Sequence, residues 1–174
     1  MASSTDRSTE PSVSDAVGDP VEPRWLDEDQ QRSWRQYLEG TARFVEALGH
    51  DHDVHSAVSL GEYELLVRLS ESPGRSVRMS VLADGLAQSR SRVTHTVHRM
   101  ERRGLVRRTA DADDRRGVHC VMTQQGYDLL VASAPAHVAA VRRLMVDVLT
   151  PEQLRVLGES MAAISEVCKH DHVL

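Results

Sequence analysis

Aromatic side chains are scarce in this 174-residue chain, at 3%, and Lys169 is its only lysine beside a large set of arginines. A GC-rich genome produces that bias unaided, so it assigns no function. Two cysteines, Cys120 and Cys168, do not make a disulfide framework. No apolar run approaches the roughly 20 residues of a membrane span, so no membrane partner is expected. The N-terminus lacks the apolar stretch of a secretory signal, and the expected location is cytoplasmic. Catalytic signatures are missing as well: there is no phosphate-cradling Gly loop, Gly-x-Ser-x-Gly elbow, His-Glu-x-x-His or Cys-x-x-Cys. Neither an enzyme nor a cofactor is expected.

What is present suits one domain. Hydrophobic residues make up 40% and charged residues 27%, ordinary values for a soluble protein. Residues 1–23 are Ser, Thr, Asp, Glu, Pro and Gly with little that packs, and are expected to form a disordered acidic leader.

The stretch from Val81 to Thr123 organises the rest. It reads as a short helix, a turn, a second helix, and two β-type runs around a polar loop, the order of a winged helix-turn-helix. Ser89 fits an N-cap and Gly104 fits the residue just past the helix end. Val93, Val97 and Met100 recur at i, i+4 and i+7 and face a core. Ser91, Thr94, His95, His98 and Arg102 fall on the opposite side, with Arg90 and Arg92 in the first turn. Arginines there oppose the helix macrodipole, a cost tolerated where a polyanion meets the helix. A helix that enters the major groove by its N-terminus needs an apolar anchor face, short polar residues, and Arg for guanine edges.

The wing runs are Leu105–Thr109 and Val118–Met122. The loop between them ends in Arg115 and Arg116, suited to a narrow, electronegative minor groove. Asp113 or Asp114 stands ready to pin an Arg by a bidentate pair. From Ala87 to Arg116 there are nine arginines against four acids, in a chain of net charge −5. Such a basic island is an electrostatic footprint for nucleic acid. The expected DNA-contacting set is Ser89, Arg90, Ser91, Arg92, Thr94, His95, His98, Arg115 and Arg116.

Further helices flank this core. Trp25 to Leu48 carries a stripe of Trp34, Leu38, Thr41, Val45 and Leu48 at helical spacing. Leu60 to Ser72 brings Tyr63, Leu66, Val67 and Leu69 under the reader and is stopped by Ser72-Pro73-Gly74. Ser76-Val77-Arg78 reads as a small strand pairing with the wing; Arg75 and Arg78 suit phosphate contact and structural roles equally. Leu129–Val146 and Pro151–Val167 read as two more helices, the last with Thr150 as N-cap and Pro151 at N1. The fold class is mainly α (α+β), with long N- and C-terminal helices forming a dimerisation lobe.

Several pieces resemble the multiple-antibiotic-resistance regulator (MarR) family of dimeric winged-helix transcription factors. They are Leu60-Gly61-Glu62-Tyr63-Glu64-Leu65-Leu66, Met79-Ser80-Val81-Leu82-Ala83, Ser89-Arg90-Ser91-Arg92-Val93-Thr94, Met100-Glu101-Arg102-Arg103-Gly104-Leu105-Val106, and Asp114-Arg115-Arg116 followed by Met122-Thr123-Gln124-Gln125-Gly126. The resemblance covers about Trp25 to Val167. One departure is Ala87, in a turn where Gly is common; Ala is expected to fit the tight corner. The resemblance implies a single domain over 24–174, with dimerisation helices at 24–58 and 124–174 around a winged core at 59–123. It implies a homodimer on pseudo-palindromic double-stranded DNA, acting as a repressor, with release by a small-molecule effector, often phenolic or carboxylate. Trp34, Arg35, Tyr37, Phe44 and Tyr63 are residues that could line an effector pocket, though core or surface roles explain each.

Two other readings stay open. His50-Asp51-His52-Asp53-Val54-His55 and Cys168-Lys169-His170-Asp171-His172 hold zinc-type ligands, so a zinc-responsive regulator using His50, His52, His55, His170 and His172 is the metal alternative. Against it, alternate residues of an extended linker point opposite ways, and no metal is expected. The His-Asp dipeptides also suggest a metal phosphohydrolase, whose helical core is missing. The third alternative is a winged helix used as a protein-interaction module, which a dense Arg face argues against. Redox sensing finds no support, since neither cysteine sits at a helix N-terminus.

Overall fold

The computed structural model describes residues 22–111, 114 and 117–171. The acidic leader expected at 1–23 therefore falls almost wholly outside the described residues, as do Ala112, Asp113, Arg115, Arg116 and residues 172–174. The chain divides into two units, 1–37 and 38–174, the division falling inside the first helix.

In the first unit, helix α1 (Glu28–His55) starts at a reciprocal cap. Asp27 Oδ1 accepts from Gln30 N at 2.8 Å, and Gln30 Oε1 accepts from Asp27 N at 3.1 Å. That cap sets the start after the Trp25 expected from sequence. The Trp34 and Tyr37 rings stack at 5.8 Å.

In the second unit α1 runs on to His55, well past Leu48, so the His50–His55 stretch is helical rather than a linker. Leu48 and His52, one turn apart, are both buried. His52 and His55 occupy the last turn. Helix α2 (Leu60–Ser70) follows, then β1 (Ser76–Arg78), α3 (Met79–Gly85), α4 (Arg90–Arg102), β2 (Val106–Ala110) and β3 (Val118–Met122). Helix α5 (Gln124–Val141) continues through a wider turn at Arg142–Val146 and leads to α6 (Pro151–Asp171). The strands form one antiparallel sheet in the order β1-β3-β2, with Cys120 opposite Val77 on one side and Arg108 on the other. The strand expected at Ser76-Val77-Arg78 is there, against the wing.

The aliphatic core lies where these elements meet. Leu65, Leu66 and Leu69 of α2, Leu82 of α3, Val93, Val97 and Met100 of α4, and Leu105, Val106, Cys120 and Met122 around the wing are all buried. Each large aliphatic side chain buried here contributes about 1.5–3 kcal/mol. The three α4 positions are those the spacing selected, so the helix turns its opposite face outward.

A tight joint sets where the wing ends. Gly104 adopts φ +73 just past α4, a left-handed position that favours glycine. The Thr123 hydroxyl donates to Gly104 O at 2.7 Å and accepts from Gly126 N at 3.0 Å, capping α5. A Cβ on Gly126 would lie 2.1 Å from Leu105 O, so only glycine lets α5 approach the strand this closely. The Thr-x-x-Gly piece is therefore a cap, and α5 begins at Gln124 rather than at Leu129 as expected.

One further expectation changes. By length and composition the helical stretch Gln124–Val146 is long and apolar enough to cross a membrane, its most apolar 18 residues reaching a mean hydropathy of 1.4. Its polar and charged positions argue for another role: Asp128, His137, Arg142 and Arg143 lie along it, while Leu130, Ser133 and Ala140 are buried.

The turn between α3 and α4 corrects the reading of Ala87. Gln88 N donates to Ala83 O and Ala87 N to Asp84 O, both at 3.1 Å, which is the Schellman pattern. Ala87 fills its left-handed position at φ +48, so it fits the corner only with backbone strain. Replacing it relieves the strain but adds entropy to the unfolded chain. We expect Ala87→Gly to gain about 0.5–1 kcal/mol, read as a higher urea midpoint at unchanged slope. A lower midpoint would contradict strain at this residue.

Candidate nucleic-acid interface

Helix α4 begins at Ser89, whose Oγ accepts from Arg92 N at 3.3 Å. Ser89, Arg90, Ser91, Arg92, Thr94, His95 and His98 are all exposed. Thr94 Oγ1 donates to Arg90 O at 2.7 Å. These exposed side chains lie along the first turns of α4, which is anchored by the buried Val93, Val97 and Met100.

Further along the helix lies a grip that the sequence reading missed. Glu62 of α2 has a side chain only 3% exposed. Its Oε1 accepts from Arg99 Nε at 2.8 Å, and its Oε2 accepts from Arg103 Nη1 at 2.9 Å and from Ser59 N at 3.1 Å. Arg103 Nη2 also donates to Ala57 O at 2.6 Å. Burial alone would raise the Glu62 carboxyl; the Arg99 hydrogen bond, the Ser59 backbone N–H and the two guanidinium charges outweigh it and hold the carboxyl below its ordinary value. Ser59-x-x-Glu62 is a capping-box pattern visible in sequence, and the box forms. The grip on Arg99 and Arg103 depends on residues about forty positions away and left no local signal.

The base of the wing is fastened too. Arg78 Nε donates to Asp111 Oδ2 at 2.8 Å and Nη2 to Asp114 Oδ2 at 2.9 Å. His119 bonds Asp111 at 3.1 Å and Ser76 at 3.2 Å. Asp114 holds an arginine, but through one bond rather than the bidentate pair expected, and the arginine is Arg78 of β1. Arg75 lies over the Tyr127 ring, 3.6 Å from its centroid. Glu101 accepts from Arg108 N at 3.0 Å and Nε at 2.9 Å, tying α4 to β2. A cleft of about 380 Å³ lies between α4 and the wing, bordered by Thr94, Arg108, Met79 and Val118. Arg115 and Arg116 lie outside the described residues.

The basic island therefore splits. Arg99, Arg103 and Arg108 are engaged internally. Arg90, Arg92, Arg102 and Arg107 are exposed and make no ion pair among the described residues.

The metal candidates are dispersed. His52 is buried, with Nδ1 at 3.2 Å from Val58 O and Nε2 at 2.9 Å from His137 Nδ1. His137 stacks on Tyr63 at 4.3 Å, and burial together with the nearby His52 lowers its pKa. His50 and His55 are exposed on α1. The side chain of His170, and all of His172, lie outside the described residues. Among the described residues no three His, Cys, Asp or Glu side chains gather as a metal site. Of the residues considered for a pocket, Tyr63 borders a cleft of about 470 Å³ with Leu48, Glu64, Val67, Leu86 and His137. Trp34 and Tyr37 stack on each other in the first unit, Arg35 bonds Gln31, and Phe44 is half-buried.

A helix-turn-helix whose second helix presents an arginine-flanked polar strip, followed by a two-stranded wing, is the architecture of a winged-helix DNA-binding protein. The model for the MarR family matches residues 58–117. Sco3205 from Streptomyces coelicolor, a MarR family transcriptional regulator solved in complex with DNA, is 41% identical over 84% of this chain and 92% of its own, with a TM-score of 0.79. AbsC from the same organism is 40% identical over 85% of this chain and 99% of its own, with a TM-score of 0.78. CouR from Rhodococcus jostii RHA1, solved with p-coumaroyl-CoA, shares the fold at 20% identity over 79% of this chain and 93% of its own, with a TM-score of 0.66. No curated protein matches the chain. The chain belongs to the MarR family and is a winged-helix transcriptional regulator.

Cysteine chemistry here is one-sided. Cys120 is buried in β3 and its thiol is pushed up to about 12, chiefly by burial, whereas Cys168 is exposed. The native protein should take up one equivalent of iodoacetamide at neutral pH, at Cys168, with Cys120 reacting only on unfolding. Labelling of Cys120 without denaturant would contradict the packing of the wing.

Proposed function

We propose that this regulator is a homodimeric repressor that reads pseudo-palindromic duplex DNA and releases it on binding a small-molecule effector. The observation that carries this reading is the exposed strip of α4. Ser91, Arg92, Thr94, His95 and His98 meet base edges, Ser89 and Arg90 meet the backbone at the helix entry, and Arg115 and Arg116 reach the minor groove. Promoter DNA held in this way is closed to polymerase.

Pairing of two chains is supported by apolar side chains left exposed on the long helices of the second unit. These are Leu38 and Val45 on α1, Val131 and Val138 on α5, and Ile164 and Val167 on α6. That distribution supports dimerisation helices at 24–58 and 124–174 around a winged core at 59–123. Two copies then set their reading helices about one turn of DNA apart. The effector occupies the cleft beside Tyr63 and His137. Tyr63 is next to Glu62 on α2, so a ligand there bears on the helix that grips the reader, and it favours dimers whose reading helices have the wrong spacing. CouR was solved with p-coumaroyl-CoA, which supports an organic effector as the class.

Fluorescence anisotropy across a salt series tests this, with the highest-affinity duplex selected from genomic fragments compared with a scrambled one. The expected result is one dimer per selected duplex, strong preference over the scrambled sequence, and affinity falling steeply with salt. Arg92→Ala should cost about 1–3 kcal/mol on the selected duplex. If neither Arg92→Ala nor Arg116→Ala changes that affinity, the reading face is misassigned.

A further inference from the structure

The buried carboxylate of Glu62 has no task in the contact scheme above, yet it holds two arginines of the reading helix. Arg99 in the last turn of α4 and Arg103 at its C-cap are four residues apart, so they project from one stripe, a turn apart. Each carboxylate oxygen takes one of them, Oε1 from Arg99 and Oε2 from Arg103. We propose that Glu62 is a positioning residue for DNA recognition. It fixes the pitch of α4 through these two guanidinium groups and withholds part of their charge from phosphate. The proposal rests on α4 being the DNA reader.

The reason is geometric. Val93, Val97 and Met100 anchor α4 by apolar contact, which is non-directional and leaves rotation and sliding weakly opposed. Charge-assisted bonds from one carboxylate to two successive turns are directional. Rotation about the helix axis breaks both bonds, and a slide along it takes each guanidinium off its oxygen. Arg103 is also held to Ala57 O at 2.6 Å, which fastens the same end of α4 to the connection between α1 and α2. Base reading tolerates roughly 0.5 Å of displacement, so a fixed pitch is a requirement of specificity. The second effect is electrostatic. The single Glu62 charge offsets one of the two guanidinium charges, so the exposed positive charge on α4 is weighted toward Arg90 and Arg92 at its entry and Arg102.

The test uses the full chain as wild type, Glu62→Gln and Ser59→Ala, with the selected and scrambled duplexes across a sodium chloride series. Glu62→Gln keeps an acceptor for Ser59 N but loses the charge. It should lower affinity for the selected duplex about tenfold, hold or raise affinity for the scrambled duplex, and steepen the scrambled-duplex salt slope by about 1. Ser59→Ala removes the cap without touching the arginines; it should lower the melting temperature and keep the ratio of the two affinities. Equal ratios for Glu62→Gln and wild type, or a parallel loss on both duplexes, would overturn the proposal and leave Glu62 a purely structural group. If Glu62→Gln does not fold, Arg99→Gln takes its place: a lowered ratio supports the proposal and an unchanged ratio overturns it. A wild-type protein that holds both duplexes equally overturns the reader assignment itself, a different result from wild-type discrimination that survives Glu62→Gln.

Discussion

A carboxylate taken out of water is costly unless donors surround it, and Glu62 is surrounded. It closes the cap of α2 through Ser59 and grips α4 through Arg99 and Arg103. The adjacent Tyr63 faces the other way and stacks on His137 of α5. Two neighbouring residues of α2 thus touch the reading helix on one side and a long flanking helix on the other. Removing the arginines would leave the buried Glu62 charge without its guanidinium partners, which favours keeping α2 and α4 in contact. The apolar core packs these helices together, and the ion pairs add directional contacts between them.

What was legible in the sequence was local. The i, i+4, i+7 spacing of Val93, Val97 and Met100 separates the two faces of α4 without any knowledge of its neighbours, and Ser89 and Gly104 mark its ends by their own backbone chemistry. The wing strands and the strand at Ser76-Val77-Arg78 follow from short β-type runs. Long-range pairing was not legible. Arg99, Arg103 and Arg108 counted toward a nucleic-acid footprint, but their partners are Glu62 and Glu101. Arg78 suited phosphate or structure equally, and proves to hold Asp111 and Asp114 at the base of the wing.

Two boundary errors have physical causes. The stretch from His50 to His55 looked like a polar linker because polar residues dominate it. One of them, His52, is buried and paired with His137, so the helix continues. The start of α5 was placed late because Thr123 and Gly126 read as a motif rather than as a cap with a close helix-strand approach behind it. Ala87 is a third case: composition alone does not reveal that a residue must adopt positive φ, and only the hydrogen bonds of the turn do so. The wing tip, with Arg115 and Arg116, stays an expectation from sequence.

Membership of the MarR family gives these parts a common purpose, and the charge distribution gives them a direction. A chain of net charge −5 approaches DNA only through a local basic surface. Here that surface is narrowed to the entry and outer face of α4 and the wing, because internal acids take up the remaining arginines. Hydroxyl-radical footprinting of the protein on its selected duplex tests this account most directly. The account predicts symmetric protection on both strands, about one helical turn between the centres of the two half-sites, with flanking minor-groove protection that disappears in Arg116→Ala. A single asymmetric protected segment, unchanged by Arg92→Ala and Arg116→Ala, would contradict it.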